Sequence, residues 1–170
     1  MLVIFMLVKR IVLTTLLILW MIVIFMFSSE DATNSQNTSD KVTKTTINVV
    51  SSITKNEVSD SKKENITINT RFIVRKMAHF TLYFILGIFT YLTLSSYGID
   101  KNIIIYSVIF CLIYSISDEI HQVFSDGRTF KVLDILIDTI GSITSNLLIK
   151  LIITKKRLHF DKKCSIICNQ

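Results

Sequence analysis

The 170-residue sequence contains no proline, four glycines, one tryptophan and three cysteines. Three cysteines do not make a disulfide framework. No GxSxG, Walker A or GxGxxG pattern occurs, so nothing indicates a serine hydrolase, a P-loop nucleotide-binding protein or a dinucleotide-binding domain. Half of the residues are hydrophobic. Together with the missing proline, this composition argues against an ordinary soluble domain.

The hydrophobic residues are concentrated in long apolar stretches that alternate with strongly polar ones. An apolar stretch of about 20 residues is what a lipid-spanning helix requires. The formal net charge is +6, but six of the nineteen basic residues lie in residues 150–163, directly after the last apolar stretch. Such a cluster is typical of a cytoplasmic topology signal next to anionic lipid. We therefore expect a membrane protein whose partner is lipid and not nucleic acid.

The apolar stretches predict an all-α integral membrane protein, a bundle of about four transmembrane helices with one long polar outer loop. The first stretch, residues 11–27, lacks a small-residue cleavage site, which favours a retained anchor over a signal peptide. Residues 28–70 are polar and show no sustained period. We predict four regions: a transmembrane helix in 1–27, a polar extracytoplasmic loop in 28–70, a three-helix membrane core in 71–154 and a basic cytoplasmic tail in 155–170.

The third span sets the position of the ionisable residues. Its purely apolar part, residues 103–117, would extend only about 22 Å as a helix, which is too short to cross the bilayer. The span becomes long enough only when it continues through residue 124. Asp118, Glu119 and His121 are then predicted to lie inside the membrane helix. The second and fourth spans are expected at about residues 77–97 and 132–154.

Basic residues flanking the spans predict the orientation. Lys9 and Arg10 precede the first span and the basic cluster ends the fourth, so the positive-inside bias places both termini in the cytoplasm. Arg71, Arg75 and Lys76, which then lie on the outer side, run against this bias. The start of span two, the end of span three and the start of span four are expected at one face.

Polar side chains recur on one face of each of these three spans, at helical spacing. Because small and polar residues favour close helix packing over lipid contact, the three faces should meet around a common centre. An ionised carboxylate in hydrocarbon costs at least about 2.5–3.5 kcal/mol, so Asp138, well inside span four, needs a partner. The predicted ligand-binding residues of this pocket are Arg75, Lys76, His79, Tyr83, Asp118, Glu119, Gln122, Arg128, Asp134 and Asp138.

Three functions fit this cluster. Arginine and lysine would bind an anionic lipid headgroup or a lipid-linked wall precursor, since the guanidinium fork suits phosphate. A small intramembrane hydrolase or transferase would use Asp118, Glu119 and His121 as catalytic residues, by acid–base chemistry or with a metal. A structural accessory subunit would use the charges only to lock its helices together. No HExxH-type spacing occurs, and we predict no cofactor and no metal site.

Several of these segments resemble the VanZ-like family. The resemblance is carried by Arg75-Lys76-Met77-Ala78-His79-Phe80 with Tyr83 and Gly87, by the acidic segment from Ser117 to Phe124, and by Gly127-Arg128 with Asp134 to Gly141. The family's marked positions fall on Arg75, Lys76, His79, Tyr83, Asp118, Glu119, Gln122, Arg128 and Asp134. Leu82 stands where an acid often precedes the tyrosine, and Asp126 replaces the usual proline.

The resemblance implies a multi-pass protein of the bacterial cytoplasmic membrane. The family is associated with reduced sensitivity to glycopeptide antibiotics, notably teicoplanin. The partners implied are a membrane lipid, a lipid-linked cell-wall precursor or a glycopeptide.

Overall fold

The computed structural model describes the backbone of residues 1–28, 60–124 and 129–168, and the side chains of residues 1, 3–28, 72–124 and 129–156. All the secondary structure in this part of the chain is helical. The four helices are α1 (Leu2–Ser28), α2 (Asp60–Ser96), α3 (Ile103–Val123) and α4 (Val132–Cys168).

Each helix contains a stretch that is long and apolar enough to cross a membrane. These spans are Val3–Ser28, Phe72–Ser96, Ile103–Val123 and Val132–Lys156. The prediction of an all-helical bundle of four membrane-spanning helices is therefore confirmed. The prediction for the third span is also confirmed, because α3 contains Asp118, Glu119 and His121 and ends only at Val123.

Two helices are longer than predicted. Helix α2 begins at Asp60 and α4 continues to Cys168, so parts of the predicted polar loop and of the predicted tail are helical. The physical reason is that adding residues to an existing helix avoids the cost of nucleation. Residues 29–59 of the predicted loop, and residues 125–128 between the third and fourth spans, lie outside the described residues.

Helix α2 is the centre of the bundle. It contacts the other three helices, and its contact with α4 is the most extensive. Two glycines permit this close approach: a Cβ atom at Gly141 would lie 2.6 Å from the Phe80 carbonyl oxygen, and one at Gly87 would lie 3.0 Å from the Ser142 backbone. Glycine at such positions allows two membrane helices to pack backbone against backbone.

Helix α1 is held to the bundle by hydrogen bonds as well as by apolar packing. The Trp20 indole donates to the Leu82 carbonyl oxygen at 3.0 Å, and the Tyr114 hydroxyl donates to the Met21 carbonyl oxygen at 2.7 Å. Lipid tails are as apolar as the helix faces, so polar contacts and close packing are what favour association between membrane helices.

A short turn between α2 and α3 makes these helices antiparallel neighbours. It contains Gly98 and Asn102, both with positive φ angles, of 80° and 58° respectively. Because α2, α3 and α4 alternate in direction, one end of the bundle collects the start of the α2 span at Phe72, the end of α3 at Val123 and the start of α4 at Val132. We call this the polar end.

Candidate ligand site at the polar end

Four carboxylates lie buried at the polar end. Asp134 and Asp138 of α4 are fully buried, and Asp118 and Glu119 of α3 are 6% and 1% exposed. Carboxylates are rarely buried to this extent unless other groups compensate them. The partners of each carboxylate therefore decide what the site is able to do.

Asp134 is paired with Lys76. The Lys76 ammonium group contacts the Asp134 carboxylate and joins α2 to α4. The Lys76 side chain is 12% exposed, and its ammonium group also lies over the Phe72 ring, 5.1 Å from the ring centroid. This pair places a compensated charge close to the start of the α2 span and the start of α4.

Asp138 lies one turn deeper and has two partners on different helices. The His79 ring, on α2, is bonded through Nδ1 to Asp138 Oδ1 at 3.2 Å. On α3, the Ser115 hydroxyl donates to Asp138 Oδ2 at 2.7 Å. One carboxylate thus connects three helices. Because Asp138 lies between Ser115 and His79, this arrangement is not that of a serine–histidine–aspartate triad, in which the histidine contacts the serine.

The two carboxylates of α3 have neutral donors. The Gln122 amide donates to Asp118 Oδ2 at 3.3 Å, and the Lys131 backbone N–H donates to Glu119 Oε2 at 2.8 Å. Ser28, the last residue of α1, is buried and lies within hydrogen-bonding range of Asp118. The only ion pairs between described residues at the polar end are Lys76–Asp134 and His79–Asp138.

Several buried acceptor oxygens at this end have no hydrogen-bond donor among the described residues. They include Glu119 Oε1, Gln122 Oε1 and Asp134 Oδ2. All three side chains are at least nine-tenths buried. Within the described part of the chain, the site therefore holds more acceptors than donors.

Arg75 is a cation of the site that pairs with no acid among the described residues. Its side chain is half-buried near the start of the α2 span, and it makes no ion pair with any described carboxylate. Lys131, just before α4, is exposed, yet it is close enough to Arg75 to feel its positive charge. Partial desolvation, followed by the Arg75 charge, lowers the pKa of Lys131. Positive charge therefore accumulates at the opening of the site while negative charge lies deeper.

The remaining predicted site residues, Tyr83, His121 and Arg128, do not all join the acidic cluster. Tyr83 is fully buried and its ring packs against Tyr114, with the two centroids 6.3 Å apart. The His121 ring packs on Phe25 of α1, with the two ring centroids 4.2 Å apart, and its Nδ1 has no hydrogen-bond partner among the described residues. The structure therefore does not join His121 to Asp118 and Glu119. Arg128 lies outside the described residues.

The set of predicted site residues did not include Ser115. The signal was present, because Ser115 precedes Asp118 by three positions and shares its helical face. No group of three or more His, Cys, Asp or Glu side chains in the described ranges is arranged to hold a metal ion.

The fold and the site define a class: a multi-pass membrane protein of four helices with a buried, acid-rich polar cluster at one end. A family model described as VanZ/LLP1 matches residues 13–153. Because this match covers most of the chain, the protein belongs to the VanZ/LLP1 family. Searches of curated proteins and of solved structures each found no match.

Proposed function

We propose that the polar end binds the phosphate-bearing headgroup of a membrane lipid or of a lipid-linked cell-wall precursor. The observation that carries this proposal is Arg75. Its half-buried side chain lies at the same end of the bundle as four buried carboxylates, yet it makes no ion pair with any of them. Its five N–H donors in a planar fork match the oxygens of a phosphate, and such charge-assisted bonds are the strong ones.

The depth of Arg75 supports a headgroup ligand. Arg75 is three residues from Phe72, where the apolar span of α2 begins, which is about 4.5 Å along a helix. Lipid phosphates lie at this boundary between the hydrocarbon core and water. Lys76 is already bonded to Asp134, so Arg75 is the more available cation of the two.

The other proposed binding residues shape the site around this phosphate. His79 and Lys76 hold the α4 carboxylates in place, which keeps the acids from competing directly for Arg75. We propose the full set of ligand-binding residues as Arg75, Lys76, His79, Tyr83, Asp118, Glu119, Gln122, Arg128, Asp134 and Asp138.

We propose that the protein lies in the bacterial cytoplasmic membrane with both termini in the cytoplasm and the polar end facing outward. The basic residues Lys9 and Arg10 and those of residues 150–163 support this orientation through the positive-inside bias. On this basis residues 28–70 are extracytoplasmic and residues 155–170 are cytoplasmic.

Replacing Arg75 with glutamine should weaken lipid binding. We expect purified Arg75→Gln protein to bind phosphatidylglycerol, or a polyprenyl-diphosphate-linked wall precursor, at least about tenfold more weakly than wild type, because a hydrogen bond to a charged group is lost. Native mass spectrometry with each lipid measures this and shows which source of phosphate binds more tightly. The matched control is Lys101→Gln, an exposed cation in the turn at the other end of α2.

Two results would contradict the proposal. One is equal binding of diacylglycerol, which lacks phosphate, and phosphatidylglycerol by the wild-type protein. The other is equal loss of binding in the Arg75 and Lys101 variants.

We also propose that binding at the polar end reduces sensitivity to teicoplanin. Expression of the wild-type protein in a sensitive Gram-positive host should raise the minimal inhibitory concentration, and Arg75→Gln at equal membrane abundance should remove most of that increase. Lys101→Gln should retain it. An unchanged inhibitory concentration with correctly inserted wild-type protein would exclude the resistance role.

A further inference from the structure

The charges at the polar end do not balance within the described residues. On α4, each carboxylate faces a basic side chain: Asp134 faces Lys76, and Asp138 faces His79. Among the described residues, the two carboxylates of α3 receive only neutral hydrogen-bond donors. A buried carboxylate without a cation carries a large desolvation cost, which a positively charged ligand group would offset.

Hydrogen-bond donors are also too few among the described residues around the α3 carboxylates. Glu119 and Gln122 are three positions apart on α3 and therefore share a face. Each has a buried side-chain oxygen without a hydrogen-bond donor, and Gln122 is 2% exposed. The Gln122 amide points into the acidic cluster, because its nitrogen is bonded to Asp118. The unmet requirement is thus for a group that is both positively charged and a hydrogen-bond donor.

The acceptors lie at headgroup depth, as Arg75 does. Glu119 is four residues from Val123, the end of α3, which is about 6 Å along the helix. Arg75 lies about 4.5 Å inside the apolar span of α2, which begins at Phe72, and α2 and α3 pack against each other. A cationic opening for phosphate and a buried acceptor pair for a donor are therefore on neighbouring helices at similar depth.

We propose that the headgroup bound at the polar end is zwitterionic, with its phosphate at Arg75 and a primary ammonium group at Glu119 and Gln122. This inference rests on the proposed binding of a lipid phosphate and specifies the class of headgroup. A primary ammonium supplies a compact positive charge and three donors. A trimethylammonium group supplies the charge without donors, and a glycerol headgroup supplies donors without the charge.

The test compares lipids that differ only in the headgroup. Native mass spectrometry of the full-length protein in detergent gives affinities for dioleoyl phosphatidylethanolamine, phosphatidylcholine and phosphatidylglycerol. We expect the ethanolamine lipid to bind about tenfold more tightly than the choline lipid, since only its ammonium group can donate hydrogen bonds to Glu119 and Gln122. The glycerol lipid should bind more weakly than the ethanolamine lipid.

Variants of α3 locate the ammonium site. Glu119→Gln should reduce the ethanolamine-to-choline ratio to about one, and Gln122→Met should reduce it partially. Asp100→Asn, at an exposed acid in the turn at the opposite end of the bundle, should leave the ratio unchanged. Thermal melting of each variant establishes that it is folded. The comparison of the three lipids on wild-type protein does not depend on the folding of any variant.

The outcomes separate this inference from the proposal beneath it. Equal binding of the ethanolamine and choline lipids by wild type overturns the ammonium site, and so does a preference that persists in folded Glu119→Gln protein. Glycerol lipid that binds as tightly as ethanolamine lipid also overturns it, in favour of an uncharged donor. If binding still requires Arg75 in any of these cases, the phosphate site stands. If binding of every phospholipid is independent of Arg75, both proposals fail.

Discussion

Gly141→Leu should abolish accumulation of folded protein, and Gly141→Ala should destabilise it by about 1–3 kcal/mol, the usual cost of overpacking. A Cβ atom at position 141 would lie 2.6 Å from the Phe80 carbonyl oxygen and 3.3 Å from the Phe84 nitrogen. Both are backbone atoms of α2, so relief requires the two helices to separate. Fluorescence-detected size-exclusion chromatography after heating measures how much folded protein remains for each variant.

The direction of the alanine effect decides between two opposing contributions. Helix propensity alone predicts that Gly→Ala stabilises a helix by about 0.8–1.0 kcal/mol, whereas the steric conflict with α2 predicts destabilisation. We expect the conflict to prevail, because no side-chain rotation relieves it. Ile140→Leu, at the neighbouring lipid-exposed position, is the control and should change stability by less than about 0.5 kcal/mol. An unchanged or higher melting temperature for Gly141→Ala would show that α2 and α4 leave room for a Cβ atom at position 141, contrary to the structure.

Lys76→Met should be the most damaging single substitution among the polar contacts. It leaves the fully buried Asp134 carboxylate without its cation, and removing one partner of a buried ion pair typically costs about 3–5 kcal/mol. The free energy of unfolding in a denaturing-detergent titration measures this. Asp134→Asn should cost less, because Lys76 is 12% exposed near the start of its span and its long side chain can reach water.

The double variant Lys76→Met/Asp134→Asn distinguishes a structural role of this pair from a role in binding. Removing both charges should restore much of the stability lost in Lys76→Met, since a neutral pair avoids the desolvation cost. If the pair only locks helices, the stabilised double variant should bind lipid as wild type does. We expect it instead to bind phosphate lipids more weakly. If the double variant instead loses as much stability as the two single variants together, the two side chains do not act as a pair.

The four spans could be predicted from the sequence because membrane crossing depends on length and apolar content, which are properties of the chain itself. The clearest example is α3: residues 103–117 are too short to cross, so Asp118 and Glu119 had to lie inside the helix, and they do. The helical ends at Asp60 and Cys168 were missed, because polar residues next to a span carry no apolar period that would separate helix from loop.

The inward-facing polar side chains of the spans were also predictable, while their pairing was not. Helical spacing assigned His79, Asp118 and Asp138 to inward faces, and the structure buries all three. Spacing cannot specify which cation meets which acid, because that depends on the rotation and relative height of neighbouring helices. For this reason Arg75 and Lys76 were both predicted as cations of the site without distinction, yet only Lys76 forms an ion pair with a described carboxylate.

By itself, the sequence determined that the polar end exists: four apolar spans that alternate in direction bring the starts of the second and fourth spans to the end of the third. The tertiary structure decided how the polar end is arranged. It turned His121 toward Phe25 and connected Ser115 to Asp138. It left Arg75, Glu119 Oε1 and Gln122 Oε1 without partners among the described residues. The physical reason is close packing, because contact at Gly87 and Gly141 sets the separation of α2 and α4 to within a fraction of an ångström. That separation determines which side chains reach one another.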